Sequence, residues 1–257
     1  MTRNTEPMIA FNAVNLAFGD AIVLEGINLS VREGEFVCVI GPSGCGKTTA
    51  LRLVAGLLAP SSGSVCVDGE AVRDPRRDVA VVFQDYAKAL LPWRTVAGNV
   101  SLALEAAFVP TSERAPRIAE LLQTVGLPNH ADKFPSQLSG GMQQRLQIAR
   151  CLAQKPRILL MDEPFGALDA MTRQHLQDEV QTIVAASGAT VFFVTHDLEE
   201  AIYLGDRVIG LSPHPGRIGL EVQVDLPRPR HQLATRESPD FLALRRTLFD
   251  FIEKVEA

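Results

Sequence analysis

Apolar and polar residues are distributed along this chain in a way that is typical of an α/β protein. They alternate over residues 8–31, which predicts antiparallel strands on either side of Gly19-Asp20. A helical period over about 171–186 separates two of the later apolar runs. Because strands that alternate with helices pair in parallel through crossover connections, we expect a mostly parallel sheet. Short apolar runs predict the strands of this sheet at 36–40, 79–83, 158–161, 190–195 and 207–211. One further short strand is predicted at 64–67.

The pattern changes in the middle of the chain. Strand-like runs are missing there, and apolar residues recur at helical spacing until Gly126 ends one of the predicted helices. We interpret this part, about 86–155, as a helical subdomain. It is inserted into a core that is formed by residues 8–85 and 156–212.

The segment 213–257 is predicted to be a C-terminal extension of three parts. Residues 218–224 alternate like a strand, and Pro227-Arg228-Pro229-Arg230 predicts an extended linker. The last part is predicted to be an amphipathic helix that serves packing or a dimer contact, with a regulatory site as the alternative. Its apolar face comprises Phe241, Leu244, Leu248, Phe251, Ile252 and Val255.

Composition narrows the classes of function. The chain has 257 residues and a formal net charge of −5, so no overall basic field favours nucleic acid. Its longest apolar runs are strand-sized, and the polar segment 1–7 lacks the apolar core of a signal peptide. The four cysteines are scattered singly, without metal-ligand or redox spacing. We therefore expect a protein of the reducing cytoplasm.

One stretch predicts a nucleotide site. It follows the apolar run 36–40 and matches the phosphate-binding pattern G-x-x-x-x-G-K-[ST]. Its glycines let backbone N–H groups point into one concavity, Lys47 adds a cation for the phosphates, and the Thr48 hydroxyl can bind Mg²⁺. The alternative is a glycine-rich turn with a solvated lysine. The candidate residues are Gly41, Pro42, Ser43, Gly44, Cys45, Gly46, Lys47, Thr48 and Thr49.

Cys45 lies inside this predicted anion site. A thiolate would be favoured there, because cations and N–H groups lower a thiol pKa. We therefore expect an oxidant or an alkylating reagent at Cys45 to block nucleotide binding.

A pair of acids predicts the metal and the base of the same site. The apolar run 158–161 ends in Asp162-Glu163, which places both carboxylates at the end of a strand. Asp162 suits Mg²⁺, directly or through a water, and Glu163 can activate an attacking water as a general base. The alternative is two acids in a loop.

A third stretch, Leu138-Ser139-Gly140-Gly141-Met142-Gln143-Gln144-Arg145, predicts a capped helix start. Ser139 is a good N-cap, and the glycines expose N–H groups, which suit an anion. The chain has one phosphate loop, so an economical arrangement lets this end cap the γ-phosphate bound to another chain. An ordinary capped helix is the alternative.

Together these stretches resemble the ATP-binding subunit of ABC transporters over about 8–212. The resemblance implies an α/β P-loop NTPase fold, with a RecA-like core, an antiparallel β subdomain and an inserted helical subdomain. It implies ATP and Mg²⁺, and catalytic roles for Lys47, Gln84, Glu163 and His196. Metal contacts are implied for Thr48, Gln84 and Asp162. Nucleotide contacts outside the phosphate loop are implied for Phe18, Ser139, Gly140, Gly141, Gln143 and Asp169.

Four of these assignments depend on the resemblance. Gln84 matches a glutamine that senses the metal and the γ-phosphate, and His196 matches the switch histidine. Ala167-Leu168-Asp169 matches a loop that crosses the dimer. Without their context, His196 would be a core histidine and Gln84 an ordinary strand end. Phe18 stands where the family stacks an aromatic ring on adenine, although Phe11 or Phe18 could equally belong to the core.

Within that family, the chain is most similar to importers of nitrate, sulfonates or taurine. Leu91-Pro92-Trp93, Ser139–Arg145, Ser212–Ile218 and the Pro-Arg repeat carry this likeness. Ala87-Lys88-Ala89 and Cys151 depart from it. The cluster around Trp93 either packs internally or borders the groove for a helix of the transmembrane subunit.

The resemblance implies a peripheral protein on the cytoplasmic face of the inner membrane. Its partners would be a second ATP-binding subunit, forming a homodimer, transmembrane permease subunits, and indirectly a solute-binding protein. No nucleic acid is expected. An exporter or lipoprotein-release ATPase, and a soluble ABC ATPase of DNA repair or translation, are the alternatives.

Overall fold

A computed structural model describes residues 6–84, 89–166 and 168–256 of the chain. They divide into two compact units, the first comprising residues up to 76 and from 189 onward, the second 77–188. The departures expected at Ala87 and Lys88, and Ala167 of the predicted dimer loop, lie outside the described residues.

The described strands follow the chain in this order: β1 (Ile9–Phe18), β2 (Ala21–Val31), β3 (Phe36–Ile40), β4 (Ser62–Val67), β5 (Glu70–Ala71), β6 (Val79–Val82), β7 (Ile158–Asp162), β8 (Thr190–Val194), β9 (Arg207–Ser212) and β10 (Arg217–Gln223). The described α-helices are α1 (Lys47–Val54), α2 (Val96–Ala106), α3 (Thr111–Thr124), α4 (Gly140–Ala153), α5 (Ala170–Ser187), α6 (Leu198–Leu204), α7 (Gln232–Arg236) and α8 (Pro239–Glu256). Among the residues that the structure describes, no helix combines the length and apolarity needed to span a membrane.

The first unit contains an antiparallel sheet with strand order β2-β1-β4-β5. Strands β1 and β2 pair from Ile9 opposite Val31 to Phe18 opposite Ala21. Gly19-Asp20 is therefore the turn between them, and the strand pair that the alternation predicted is confirmed.

A parallel group of strands forms the other layer of the first unit. Strand β3 pairs in parallel with both β8 and β9, and β10 pairs antiparallel with β9. Every residue of β3 and β8 is buried. Strands buried on both faces give continuous apolar runs rather than alternation, which explains why the sequence showed them as runs.

The C-terminal extension packs onto this unit more closely than the sequence predicted. Phe251 of α8 lies against the glycines of β9 and β10, where a Cβ on Gly210 or Gly219 would come within 2.5 or 2.8 Å of its ring. Phe241 and Leu248, on the predicted apolar face, are fully buried. Arg230, within the predicted linker, is 5% exposed and donates hydrogen bonds to the carbonyl oxygens of Ile202 and Tyr203 in α6.

The second unit combines the parallel strands β6 and β7 with the helices α2 to α5. Helix α3 ends before Gly126, whose φ of 69° confirms the predicted helix end. Two short helices of the first unit were missed. Helices α6 and α7 have seven and five residues, too few for a helical period to be recognised.

Candidate active site

The phosphate loop of the first unit connects β3 to α1. Gly41 and Gly46 have φ angles of 150° and 98°, a range that residues with a side chain rarely adopt. A Cβ on Gly46 would lie 2.5 Å from Leu24 Cδ2, and one on Gly41 would lie 2.5 Å from the Leu211 carbonyl oxygen. Both the backbone conformation and the space therefore require glycine at these two positions.

Lys47 is folded back over this loop. Its Nζ donates to the carbonyl oxygens of Gly41 at 2.7 Å and Pro42 at 2.9 Å, and the residue is only 7% exposed. Gly46 is the N-cap of α1 and supplies no side-chain acceptor to the first N–H groups of the helix. A cation and uncapped helix N–H groups in one loop fit a polyphosphate.

Cys45 does not carry the thiolate expected from the sequence. The residue is 1% exposed, and burial raises the pKa of its thiol, an effect that the charge of Lys47 only partly opposes. Its Sγ faces Gly41, where an added Cβ would lie 2.7 Å away. The thiol is buried within the loop, and its raised pKa contradicts the reactive thiolate expected from the sequence.

The two candidate aromatic residues of β1 occupy different environments. Phe11 is 2% exposed, and its ring lies 6.1 Å from that of Phe192, centroid to centroid. Phe18, the last residue of β1, is 54% exposed. Phe11 therefore belongs to the core, and Phe18 keeps a face that a base could stack on.

His196 lies between β8 and α6 and is exposed. Asp197 follows it as the N-cap of α6, accepting hydrogen bonds from the N–H groups of Glu199 and Glu200 at 3.0 and 3.1 Å. The end of a buried strand and a capped helix thus position this histidine from both sides.

In the second unit, the structure brings two predicted catalytic residues together. Asp162 is the last residue of β7 and is 8% exposed, and Glu163 follows with a φ of 43°. The Gln84 amide Nε2 donates to Glu163 Oε2 at 3.1 Å. The amide therefore fixes the orientation of the carboxylate, a contact that 79 residues of separation hide from sequence reasoning.

The glycine-rich helix start of the second unit serves packing as well as capping. Ser139 is the N-cap of α4, as predicted, and accepts a hydrogen bond from the Met142 N–H. Gly141 is buried, and a Cβ there would lie 2.6 Å from Thr172 Cγ2 of α5. The Gln143 amide donates to the carbonyl oxygens of Pro135 and Leu138. No sequence signal indicated the contact between α4 and α5.

Asp169 caps the neighbouring helix. Its side chain accepts a hydrogen bond from the Thr172 N–H at 3.0 Å at the start of α5. Hydrogen bonds from Thr172 lower the pKa of this exposed carboxyl. The carboxylate predicted to reach a nucleotide across a dimer is therefore also a helix cap.

The tryptophan of the second unit stands on a loop that Asn99 organises. Asn99 is fully buried, and its amide donates to the carbonyl oxygens of Leu91, Arg94 and Thr95 while accepting from the Leu91 N–H. Trp93 is 71% exposed, so it does not pack internally. Sequence reasoning missed Asn99, because a lone polar residue within an apolar helix carries no motif.

A cavity of about 320 Å³ lies in the same unit. Its lining is mostly apolar, with Gln147, Arg150 and Gln154 as the polar exceptions. The other lining residues are Val79, Ala80, Val81, Phe83, Ala89, Leu102, Ala103, Ala106 and Cys151.

Comparison with known proteins places this geometry in a family. The ABC transporter family model matches residues 24–166. An ABC transporter ATP-binding protein of Methanocaldococcus jannaschii is 50% identical over 230 residues, which cover 90% of this chain and 84% of that protein. The nitrate import ATP-binding protein of Synechococcus elongatus is 47% identical over 92% of this chain and 36% of its own length. The bicarbonate transport ATP-binding protein of Synechocystis sp. is 45% identical over 92% of this chain and 36% of its own length.

A solved structure agrees with these relatives. A dimeric ATP-binding cassette in a post-hydrolysis state, bound to ADP and phosphate, superposes with a TM-score of 0.74 at 35% identity. The match covers 84% of this chain and 99% of that one. The fold is therefore the α/β fold of P-loop NTPases, as the sequence predicted. The chain belongs to the ABC transporter family and is one of its ATP-hydrolysing, ATP-binding subunits.

Proposed function

We propose that this chain powers the uptake of a small solute, such as nitrate, bicarbonate, a sulfonate or taurine, through a separate permease. The observation that carries the proposal is the 45–47% identity to the nitrate import and bicarbonate transport ATP-binding proteins over 92% of the chain. The first is named for nitrate import and the second for bicarbonate transport, and both solutes are small oxyanions. This similarity favours import over the exporter, lipoprotein-release and DNA-repair alternatives.

Uptake and ATP turnover test the proposal together. The chain is purified with its permease, reconstituted in liposomes and supplied with the solute-binding protein and each candidate solute. We expect one solute to stimulate ATP hydrolysis and to accumulate, and a Glu163→Gln complex to do neither. ATP-driven release of solute or lipid from the liposomes, without accumulation, would contradict import.

The phosphate loop would hold the β- and γ-phosphates. Lys47 exchanges its two carbonyl contacts for phosphate oxygens, and the N–H groups at the start of α1 donate to the same anion. Mg²⁺ bound by Thr48, Gln84 and Asp162 would neutralise charge on the phosphates. Phe18 would stack on adenine, a contact worth about 1–3 kcal/mol by analogy with base stacking.

Hydrolysis needs a base that is correctly oriented. Glu163 would accept the proton of the attacking water, and its bond to Gln84 holds the carboxylate in place for this transfer. His196 would contact the γ-phosphate and position the water.

A second copy of the chain would complete each nucleotide site. Ser139, Gly140, Gly141 and Gln143 at the start of α4 would face the γ-phosphate of the partner, and Asp169 would approach the same nucleotide. The dimeric cassette bound to ADP and phosphate supports this arrangement. Turnover per chain should therefore fall on dilution through dimer dissociation, and a constant value would contradict the scheme.

The permease is proposed to contact the second unit near the cavity and Trp93. The second unit contains a mostly apolar cavity and an exposed tryptophan, and apolar surface of this kind suits the apolar face of an amphipathic helix. Contact with the permease would hold the chain on the cytoplasmic face of the inner membrane.

Replacing Trp93 tests this contact. Trp93→Ala should lower solute-stimulated ATP hydrolysis and transport, while ATP binding stays normal. Phe108→Ala is a matched control, because Phe108 is 73% exposed in the same unit and its ring lies 4.9 Å from the Arg77 guanidinium carbon. Normal transport by the Trp93→Ala variant would contradict the proposed contact between Trp93 and the permease.

A further inference from the structure

Hydrogen bonds connect the start of α6 to Thr195 and Asp197, the residues on either side of His196. Thr195 Oγ1 accepts a hydrogen bond from the Asp197 N–H at 3.0 Å and donates to the carboxylate of Glu200. Asp197 in turn caps the first turn of α6. A displacement of the start of α6 would therefore displace the backbone of His196.

Two arginines of the C-terminal extension bind one carboxylate in that first turn. Arg236 Nη1 lies 2.7 Å from Glu199 Oε2, and Arg245 Nη1 lies 3.0 Å from Glu199 Oε1. Each carboxylate oxygen thus has its own guanidinium partner. The Arg236 guanidinium carbon also lies 5.0 Å from the ring centroid of Tyr203, a buried residue of α6.

The same extension holds the other end of α6. Arg230 Nη1 donates to the carbonyl oxygens of Ile202, Tyr203 and Gly205, where the helix ends and its carbonyl groups lack helical partners. Arg228 Nη2 donates to the Leu204 carbonyl oxygen at 2.8 Å. The extension therefore contacts α6 at both ends.

The two ion pairs of Glu199, with Arg236 and Arg245, are suited to positioning the start of α6. Glu199 and Arg245 are 38% and 51% exposed, and exposed ion pairs contribute little to the stability of a fold. Partial burial alone would raise the pKa of Glu199, but the hydrogen bonds and charges of Arg245 and Arg236 outweigh it and lower the pKa. The carboxylate consequently stays charged, and both bonds fix the direction of the first turn.

We propose that the C-terminal extension positions His196 for ATP hydrolysis, and that Arg236 and Arg245 do so by holding Glu199 at the start of α6. The inference rests on the proposed role of His196 in the hydrolysis step. It assigns Arg236, Arg245 and Glu199 as positioning residues, which act through α6 and do not touch the nucleotide.

The test is steady-state ATP hydrolysis by the full chain, with kcat and KM measured separately. The double variant Arg236→Gln, Arg245→Gln should lower kcat roughly 3- to 30-fold, because a shift of a catalytic group by a fraction of 1 Å is costly. The KM for ATP should change by less than about twofold, since the phosphate loop and Phe18 are untouched. Glu199→Gln, which removes the charge but keeps the shape, should reproduce this pattern.

Two further variants and one melting-temperature measurement separate positioning from a structural role. Arg236→Lys with Arg245→Lys keeps both charges and should recover at least half of kcat. Arg246→Gln removes the neighbouring charge of α8, which does not contact Glu199, and should leave kcat unchanged. The melting temperature of the double glutamine variant should fall by no more than about 4 °C, the scale of two exposed ion pairs.

The variant His196→Ala separates a failure of the proposed role of His196 from a failure of the positioning role proposed for the C-terminal extension. If His196→Ala keeps wild-type turnover, the proposed role of His196 fails and this inference fails with it. If His196→Ala loses turnover but the double glutamine variant keeps wild-type kcat, the inference alone is overturned. A fall in kcat that accompanies a large loss of melting temperature and is not restored by the lysines would also overturn it, because it would show a structural role only.

Discussion

Substitution of Gly141 can separate its role in the packing of α4 against α5 from its proposed role at the nucleotide. The φ angle of Gly141 is not in the left-handed region, so alanine is compatible with the backbone there. Gly141→Ala would gain up to about 1 kcal/mol from helix propensity, less so close to the helix start. The new Cβ would, however, lie 2.6 Å from Thr172 Cγ2. Overpacking of this kind costs about 1–3 kcal/mol, so the variant should be destabilised by roughly 1–2 kcal/mol.

The structure also predicts the compensating change. Thr172→Ser removes Cγ2 and keeps the hydroxyl, and the next atom facing the new Cβ is Leu176 Cδ1 at an ordinary 3.9 Å. The variant Gly141→Ala, Thr172→Ser should therefore recover the loss, with a coupling energy of about 1–2 kcal/mol between the two sites. Thr172→Ser alone is the matched control for the lost methyl group.

Urea unfolding followed by circular dichroism gives the four free energies of unfolding that this cycle needs. Additive effects, with a coupling energy near zero, would refute the reasoning that Gly141 is required because α4 approaches α5 closely. ATP hydrolysis by the compensated variant then tests the other role. If its stability is restored but its turnover stays low, Gly141 is also needed at the nucleotide, as the proposed dimer requires.

Three further predictions follow from contacts in the two units. Glu163→Gln should lower turnover by roughly 10²- to 10⁴-fold with ATP binding retained, and wild-type turnover would reassign the base. Lys47→Ala should weaken ATP binding in a titration, because the loop loses its cation, and an unchanged dissociation constant would contradict the phosphate site. Glu35→Ala should cost about 3–5 kcal/mol of unfolding free energy, because Glu35 makes a buried two-point contact with Arg207 at 2.9 and 3.1 Å. A loss below about 1 kcal/mol in urea unfolding would refute that last estimate.

Much of the fold was predictable because its signals are local. The antiparallel pair β1–β2 was visible as alternation, and the parallel strands were visible as short apolar runs. The turns at Gly19-Asp20 and Gly126 were also predicted, since glycine adopts the φ angles that they need. The division into a core, a helical insertion and an extension stays a prediction, as do the roles of the individual site residues.

What the sequence missed has a common physical cause. Asn99 organises the loop of Trp93, Gln84 orients Glu163, and Arg230 caps α6, and none of these roles follows from a local pattern. The Cys45 thiolate was wrong for a related reason. Position in an anion-binding loop predicts a low pKa, but the direction in which the side chain points decides whether burial wins.

The sequence by itself determined the family of this protein and its class of activity, ATP hydrolysis. A phosphate loop, an acid pair at a strand end and a glycine-rich helix start are contiguous patterns, because each needs only a few neighbouring residues to form its local geometry. Only the tertiary structure decided which side chains from distant parts of the chain contact one another around these patterns. Glu199 and Arg245 are 46 residues apart in the chain and 3.0 Å apart in the fold, and such a contact depends on packing between elements that no local pattern records.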